Sequence, residues 1–196
     1  MKKFKTEKRL AKITKAARAR QKSLFVILEN IHDPHNVSAI FRSCDAVGVL
    51  RVGLVYTNEK FPKISRVTSS SANKWIETIR FNSVDECVSL LKKNNFKIYV
   101  SVLDENAKSI YDVDFTIPSA IVMGNEHRGV SNDFINYADE KIYIPMRGMI
   151  QSLNVSVATA VTLYEAHRQR TMKGMYDIPD LSNEELETLI NHWCEK

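Results

Sequence analysis

Three short stretches of this chain bring together residue types that could do chemistry. The first, Asn30-Ile-His-Asp-Pro-His-Asn-Val-Ser-Ala-Ile-Phe-Arg42, joins a strand end, a Pro-bent loop and a helix start. That arrangement presents Asn36 and Arg42 at the C-terminal edge of a sheet, where α/β proteins bind their ligands. Arg42 suits an anion there, because a guanidinium stays charged and offers five donors. A plainer reading pairs Arg42 with Asp45 on the surface. His32 and His35 lack an evident third ligand, so no metal is expected. The second stretch, Val122-Met-Gly-Asn-Glu-His-Arg-Gly129, is a strand ending in Gly124 with the acid Glu126 two residues on. Glycine at that end allows close backbone approach to a ligand. The spacing is not G-x-G-x-x-G, and the Lys-Ser/Thr of a Walker loop is missing. A simple strand-to-helix turn with Glu126 solvated is the plainer reading. The third runs from Tyr143 to Arg170, YIPMRGMIQSLNVSVATAVTLYEAHRQR. Ser152 and Asn154 stand at the mouth of a long helix, where free backbone N–H groups concentrate. Without function this is a capped core helix, apolar at Val155, Ala158, Val161 and Leu163, with Arg168 and Arg170 suiting its C-terminus.

The elements that must hold these stretches can be read in order. Leu24 to Leu28 is an apolar run, as in a strand covered on both faces. Asn36 is a plausible cap for a helix from Val37 to about Val47, ended by Gly48. Val49 to Tyr56 is the next strand, and residues 57–74 form a long polar connection ending in TSSSANKW. Ser83-x-x-Glu86 is a capping box before a helix. Lys97 to Leu103, Ala120 to Met123 and Lys141 to Ile144 are further strands, and Ser131 caps a short helix through Tyr137. Ser182-x-x-Glu185 opens a last helix striped by Leu186, Leu189, Ile190 and Trp193. Strands alternating with helices predict an α/β fold with a largely parallel sheet.

The chain has 196 residues and a formal net charge of +5. Residues 1–22 hold ten Lys/Arg against one acid, so the basicity belongs to this arm and the rest is mildly acidic. Ala, Lys and Arg favour a helix there. Its narrow stripe of Leu10, Ile13 and Ala17 must dock on something. Arg9, Arg18 and Arg20 are its candidate phosphate contacts; a solvated basic tail is the alternative. Cys44, Cys87 and Cys194 form no C-x-x-C pair, which suits a reducing cytosol. The expected location is cytoplasmic: no apolar run is long enough for a bilayer, and the arm lacks the apolar core of a secretory signal.

Taken together, NIHDPHNVSAIFRSCDAVG, VMGNEHRGVS and IPMRGMIQSLNVSVATA resemble, almost letter for letter, the three signatures of the SpoU/TrmH methyltransferases of the SPOUT superfamily. The resemblance covers roughly residues 24–170, and SSANKWI is similar to that family's loop after the second strand. The basic arm and the GMYDIP-to-Trp193 segment are similar to extensions of the branch that methylates tRNA guanosine ribose.

The resemblance implies a SPOUT-type α/β fold with a deep trefoil knot at about 119–165. The methyltransferase domain would span 23–170, flanked by the helical arm 1–22 and a helical extension 171–196. It implies a homodimer using S-adenosyl-L-methionine, held by backbone around Ser101, Gly124, Ile144 and Leu153, with no metal. The implied reaction is 2′-O-methylation of a tRNA ribose, guanosine 18 in the D-loop. Alternatives are ribosomal RNA, a tRNA wobble nucleotide, or a catalytically silent RNA-binding protein on the same fold. Arg42 takes the activating role, with Asn36, Glu126, Ser152 and Asn154 completing the set. A guanidinium has a pKa above about 12, so freeing its proton at neutral pH costs about 7 kcal/mol. Holding a phosphate and stabilising alkoxide charge is the safer physical role; proton removal stays open beside it. Arg168 and Arg170, with the arm, are the expected RNA contacts.

Overall fold

The computed structural model describes residues 6–62, 72–104 and 106–196. In chain order the first elements are α1 (Glu7–Arg18), β1 (Gln21–Glu29), α2 (Pro34–Ala46), β2 (Val49–Val55), β3 (Glu77–Phe81), α3 (Val84–Lys93) and β4 (Lys97–Ser101). Then follow β5 (Lys108–Ser109), β6 (Ser119–Met123), α4 (Asn132–Tyr137), β7 (Glu140–Tyr143), α5 (Val155–Met172) and α6 (Asn183–Glu195). Among the described residues the strands form one seven-stranded sheet in the order β3-β2-β1-β6-β4-β7-β5, with every pairing parallel.

The centre of the sheet follows from side-chain alternation. In β1, Leu24, Val26 and Leu28 pack with α2 and α5, while Phe25 and Ile27 pack with α3 and α4 on the other face. In β6, Ile121 and Met123 take the first face and Ala120 and Val122 the second. The chain moves outward from β1 to β2 and β3, crosses to β4, and later lays β6 between β1 and β4. The order therefore reverses between β1 and β6, and such a reversal opens a crevice at the C-terminal strand ends.

Local signals place most of the helices. Ser83, Ser131 and Ser182 are N-caps, and Ser182 with Glu185 forms a complete capping box. At Ser83 the box is incomplete, because the Glu86 carboxylate accepts from the Asn82 N–H instead. Gly48 follows α2 with φ +83°, a left-handed position that glycine accepts without strain. Two edge strands, β3 and β5, escaped sequence reading. β3 is mostly exposed, so it carries no apolar alternation to read. The helix α2 starts earlier than expected, with Asp33 as its cap and Pro34 in the first turn. Asn36 is thus not the cap, and its side chain is free for other work. Within the TSSSANKW run, residues 68–71 lie outside the described residues; Ala72–Lys74 is a single 3-10 turn.

The basic arm docks, as its stripe required. Ile13 and Ala17, with Leu10 beside them, pack against Leu186, Leu189, Ile190 and Trp193 of α6 in a third apolar cluster. β1 begins at Gln21, inside the stretch expected to be arm. This corrects the reading of Arg20. Its side chain is buried, ion-paired to Asp45, hydrogen-bonded to the Val49 carbonyl at 2.9 Å, and stacked 4.9 Å from the Trp193 ring. Asp45 is therefore the partner of Arg20, not of Arg42. Arg170 is corrected likewise: it is fully buried, with no surface for a phosphate. Its nitrogens donate to the carbonyls of Phe115, Ser23 and Ile117 and to the side-chain oxygens of Gln21 and Ser23. Burial pulls this guanidinium below its ordinary pKa. It serves as a staple between β1, the loop before β6 and the end of α5.

Candidate active site

A cavity of about 540 Å³ lies at the C-terminal ends of β4, β6 and β7, against the start of α5. That size falls within the roughly 300–1,000 Å³ of small-molecule sites. Ser101 to Leu103, Met123 to Val130, Tyr143 to Met146 and Gln151 to Val155 supply most of its wall. Ser101, Gly124, Ile144 and Leu153, the four residues expected to hold a cofactor, all line it, as do Glu126, Ser152 and Asn154. Leucine, isoleucine and alanine surface alternates there with polar groups, which suits a flat heterocycle bearing a polar tail.

Three of the expected polar residues are joined directly. The Asn154 amide donates to Asn36 Oδ1 at 3.0 Å, and Asn36 Nδ2 donates to Glu126 Oε1 at 2.8 Å. Glu126 also accepts from the backbone N–H groups of His32 at 2.9 Å and Asp33 at 3.1 Å. Burial tends to raise the Glu126 carboxyl, but the bonds from Asn36, His32 and Asp33 outweigh it and hold the pKa below the ordinary value. Glu126 is consequently an ionised acceptor that fixes the first loop. It is half-buried and bonded on its inner side rather than free in solvent, and it is not a proton donor at neutral pH. Asn154 has a second role as N-cap of α5, accepting from the Ser156 N–H at 2.9 Å.

Gly124 is required for a reason nearer home than ligand approach. A Cβ there would lie 2.2 Å from the Gly129 carbonyl carbon. The loop 125–129 folds back over it through Asn125 N–H to Gly129 O at 3.0 Å and the reverse bond at 2.8 Å. The backbone approach is the loop's own, and it shapes the cavity wall.

Arg42 is exposed on α2, outside the cavity wall, with no hydrogen bond or ion pair to any described residue. Ser152 lines the cavity in the same unpaired state. Arg9 and Arg18 are exposed on α1. Arg168 is also at the surface, where it pairs with Glu165 at 2.8 Å. Sequence reasoning missed Asn30, Glu59 and Asn125. Asn30 and Asn125 are buried and bonded across loops, while Glu59 lies in the polar connection, where nothing periodic marks it. Among the described residues no cluster of His, Cys, Asp and Glu is placed to hold a metal.

The doubly covered parallel sheet and its cavity at the C-terminal ends of β4, β6 and β7 define an α/β protein with a candidate small-molecule site at the strand ends. More narrowly, the chain belongs to the SpoU rRNA Methylase family, whose model matches residues 23–164. It is 44% identical over 191 residues to the tRNA (guanosine(18)-2′-O)-methyltransferase of Thermus thermophilus, covering 97% of this chain and 98% of the relative. The enzyme of the same description from Aquifex aeolicus is 42% identical, over 96% of this chain and 89% of its own. Among solved structures, the crystal structure of the A. aeolicus TrmH/SpoU tRNA modifying enzyme superposes with a TM-score of 0.90, at 41% identity and 96% coverage of both chains. The SpoU methyltransferase AviRb from Streptomyces viridochromogenes, solved with AdoMet, gives 0.68 at 29% identity, over 78% of this chain and 62% of the other.

Proposed function

We propose that this protein transfers a methyl group from S-adenosylmethionine to the ribose 2′-hydroxyl of guanosine 18 in tRNA. The observation that carries the reading is the single hydrogen-bonded chain Asn154–Asn36–Glu126, which ties all three signature stretches to one cavity wall. Near-full-length likeness to two tRNA guanosine-18 enzymes selects the substrate over ribosomal RNA.

The cavity fits the methyl donor in size and in its mix of apolar and polar wall. Ser101, Gly124, Ile144 and Leu153 would hold it through strand-end backbone. When bound, it supplies an electrophilic methyl group on a sulfonium. The residues of the chain do the rest. Glu126 and Asn154 hold Asn36, Ser152 faces the donor side, and Arg42 grips an RNA phosphate and stabilises charge growing on the ribose oxygen. Because Arg42 stands outside the cavity of its own chain, a homodimer supplies it from the second copy. Exposed apolar side chains on α5 (Val157, Tyr164) and in the preceding loop (Met149, Ile150, Leu153) give that copy a seat. Following the family, residues 119–165 form the knot, within a methyltransferase domain that begins with β1 at Gln21 and ends with α5 at Met172, with the basic arm before it and an extension after it. Arg9, Arg18 and Arg168 meet RNA phosphates, setting register and affinity rather than sequence. No helix among the described residues is long and apolar enough to cross a membrane, and a tRNA substrate is consistent with a cytoplasmic enzyme.

The test is to incubate the protein with labelled S-adenosylmethionine and either unmodified tRNA or a ribosomal RNA fragment, then digest to nucleosides. One labelled product, 2′-O-methylguanosine from tRNA, is the expected result. Label in ribosomal RNA alone, or none at all, would defeat the reading.

A further inference from the structure

Three loops leave neighbouring strands at the C-terminal edge of the sheet, and side chains tie them into a closed ring. After β1, Asn30 Oδ1 accepts from the N–H groups of Thr57 at 3.0 Å and Asn58 at 3.2 Å, both in the loop after β2. Glu59 follows directly. One of its oxygens accepts from Asn125 Nδ2 at 3.2 Å and from Arg128 at 2.5 Å, both in the loop after β6; the other meets His32 Nδ1 at 2.9 Å. Asn125 closes the ring by donating to the Asn30 carbonyl at 2.7 Å, while its own oxygen accepts from the N–H groups of His127 and Arg128. Asn30 sits at φ +50°, a left-handed conformation that asparagine tolerates better than most residues.

An isolated surface ion pair contributes little, and Glu59–Arg128 alone would be one. The carboxylate is only 21% exposed, however, and its partners converge from two loops. Those loops carry Glu126, one end of the signature chain, and the backbone amides that bond to it. Glu126 follows Asn125 in sequence, and the amides that it holds belong to His32 and Asp33. Fixing Asn125 and His32 to one carboxylate therefore fixes the distance that Glu126 must span.

We infer that Glu59 is a positioning residue for the transfer site, holding Glu126 and through it Asn36 in register without touching donor or RNA. The inference rests on the methyltransferase reading given above. It is tested with Glu59→Ala and Glu59→Gln in the full-length protein. The readouts are turnover on tRNA, calorimetric binding of S-adenosylhomocysteine, and hydrogen exchange at the amides of His32, Asp33, His127 and Arg128. Glu59→Ala is expected to lower kcat on the order of tenfold, as small misplacements of reacting groups do. It should also speed exchange at all four amides and leave S-adenosylhomocysteine affinity nearly unchanged. Glu59→Gln, which keeps the length and one acceptor, should recover part of both losses. Wild-type kcat in Glu59→Ala overturns the inference whatever the exchange shows. So does a lowered kcat with wild-type exchange, or a loss confined to donor affinity. Should Glu59→Ala fail to fold, the same readouts on Glu59→Gln decide. A wild-type protein that methylates nothing defeats the functional reading instead, and exchange, which needs no turnover, keeps the two failures apart.

Discussion

Replacing Arg42 by alanine is expected to lower methyl transfer roughly 100- to 1,000-fold, the usual cost of removing one charge-stabilising donor from a transition state. Affinity for tRNA should fall far less, because phosphate contacts are spread over Arg9, Arg18 and Arg168 and each neutralised phosphate adds only its own share. The position of Arg42 makes the prediction sharper. It is exposed, unpaired among the described residues, and absent from the cavity wall of its own chain. Its loss costs the fold nothing visible, so a fallen rate is not a fallen structure. If the second copy supplies it, mixing Arg42→Ala with a variant blocked in the cavity away from the seat of the second copy, such as Ser101→Trp, restores activity that neither has alone. Turnover assays on single and mixed variants, beside filter binding of tRNA, check both statements. Parallel losses of rate and binding would make Arg42 an ordinary RNA contact, and no restoration on mixing would place its action within one chain.

Arg170 is expected to behave in the opposite way. Arg170→Met removes the guanidinium donors from the carbonyls of Phe115 and Ile117, which lie in the loop before β6, and from Ser23 and Gln21 on β1; the Ile117 carbonyl keeps only the Ser119 hydroxyl. Each buried acceptor left without a partner carries a desolvation penalty of about 1–3 kcal/mol, so orphaning two of them costs a few kcal/mol. Against a typical domain stability of about 5–15 kcal/mol, that is a large fraction. The urea midpoint should fall accordingly, whereas the tRNA affinity of the folded fraction should not change. Arg168→Met, at the surface beside Glu165, should leave the midpoint nearly in place. A normal midpoint with weakened tRNA binding in Arg170→Met would return Arg170 to the RNA surface.

The two arginines mark where sequence reading ends. Arg42 and Arg170 look alike in a string, and charge by default argues exposure. Arg170 is buried because unladdered carbonyls from a distant loop converge on it, and local spacing holds no trace of that convergence. Arg20 is the same case, drawn inward by Asp45 and Trp193. By contrast, β1 and β6 were legible because they are apolar on both faces, and the caps at Ser131 and Ser182 because capping is local chemistry. Asn36, Glu126, Ser152 and Asn154 were singled out by their motif wording; the bonds that join Asn36, Glu126 and Asn154 were not legible. The expected cap role of Asn36 failed because Asp33 and Pro34 start the helix a turn earlier. Glu59 had no signal, since an acid in a polar loop looks solvated until two other loops close on it.

The central claim is that the cavity delivers a methyl group to one ribose oxygen of tRNA. It is tested most directly with two transcripts that differ only in the sugar at guanosine 18, one with its 2′-hydroxyl and one 2′-deoxy. Both are incubated with the protein and labelled S-adenosylmethionine. The account predicts that the ribose transcript takes up label and the deoxy transcript, though it still binds, takes up none. Equal labelling of the two would show that the methyl group goes elsewhere.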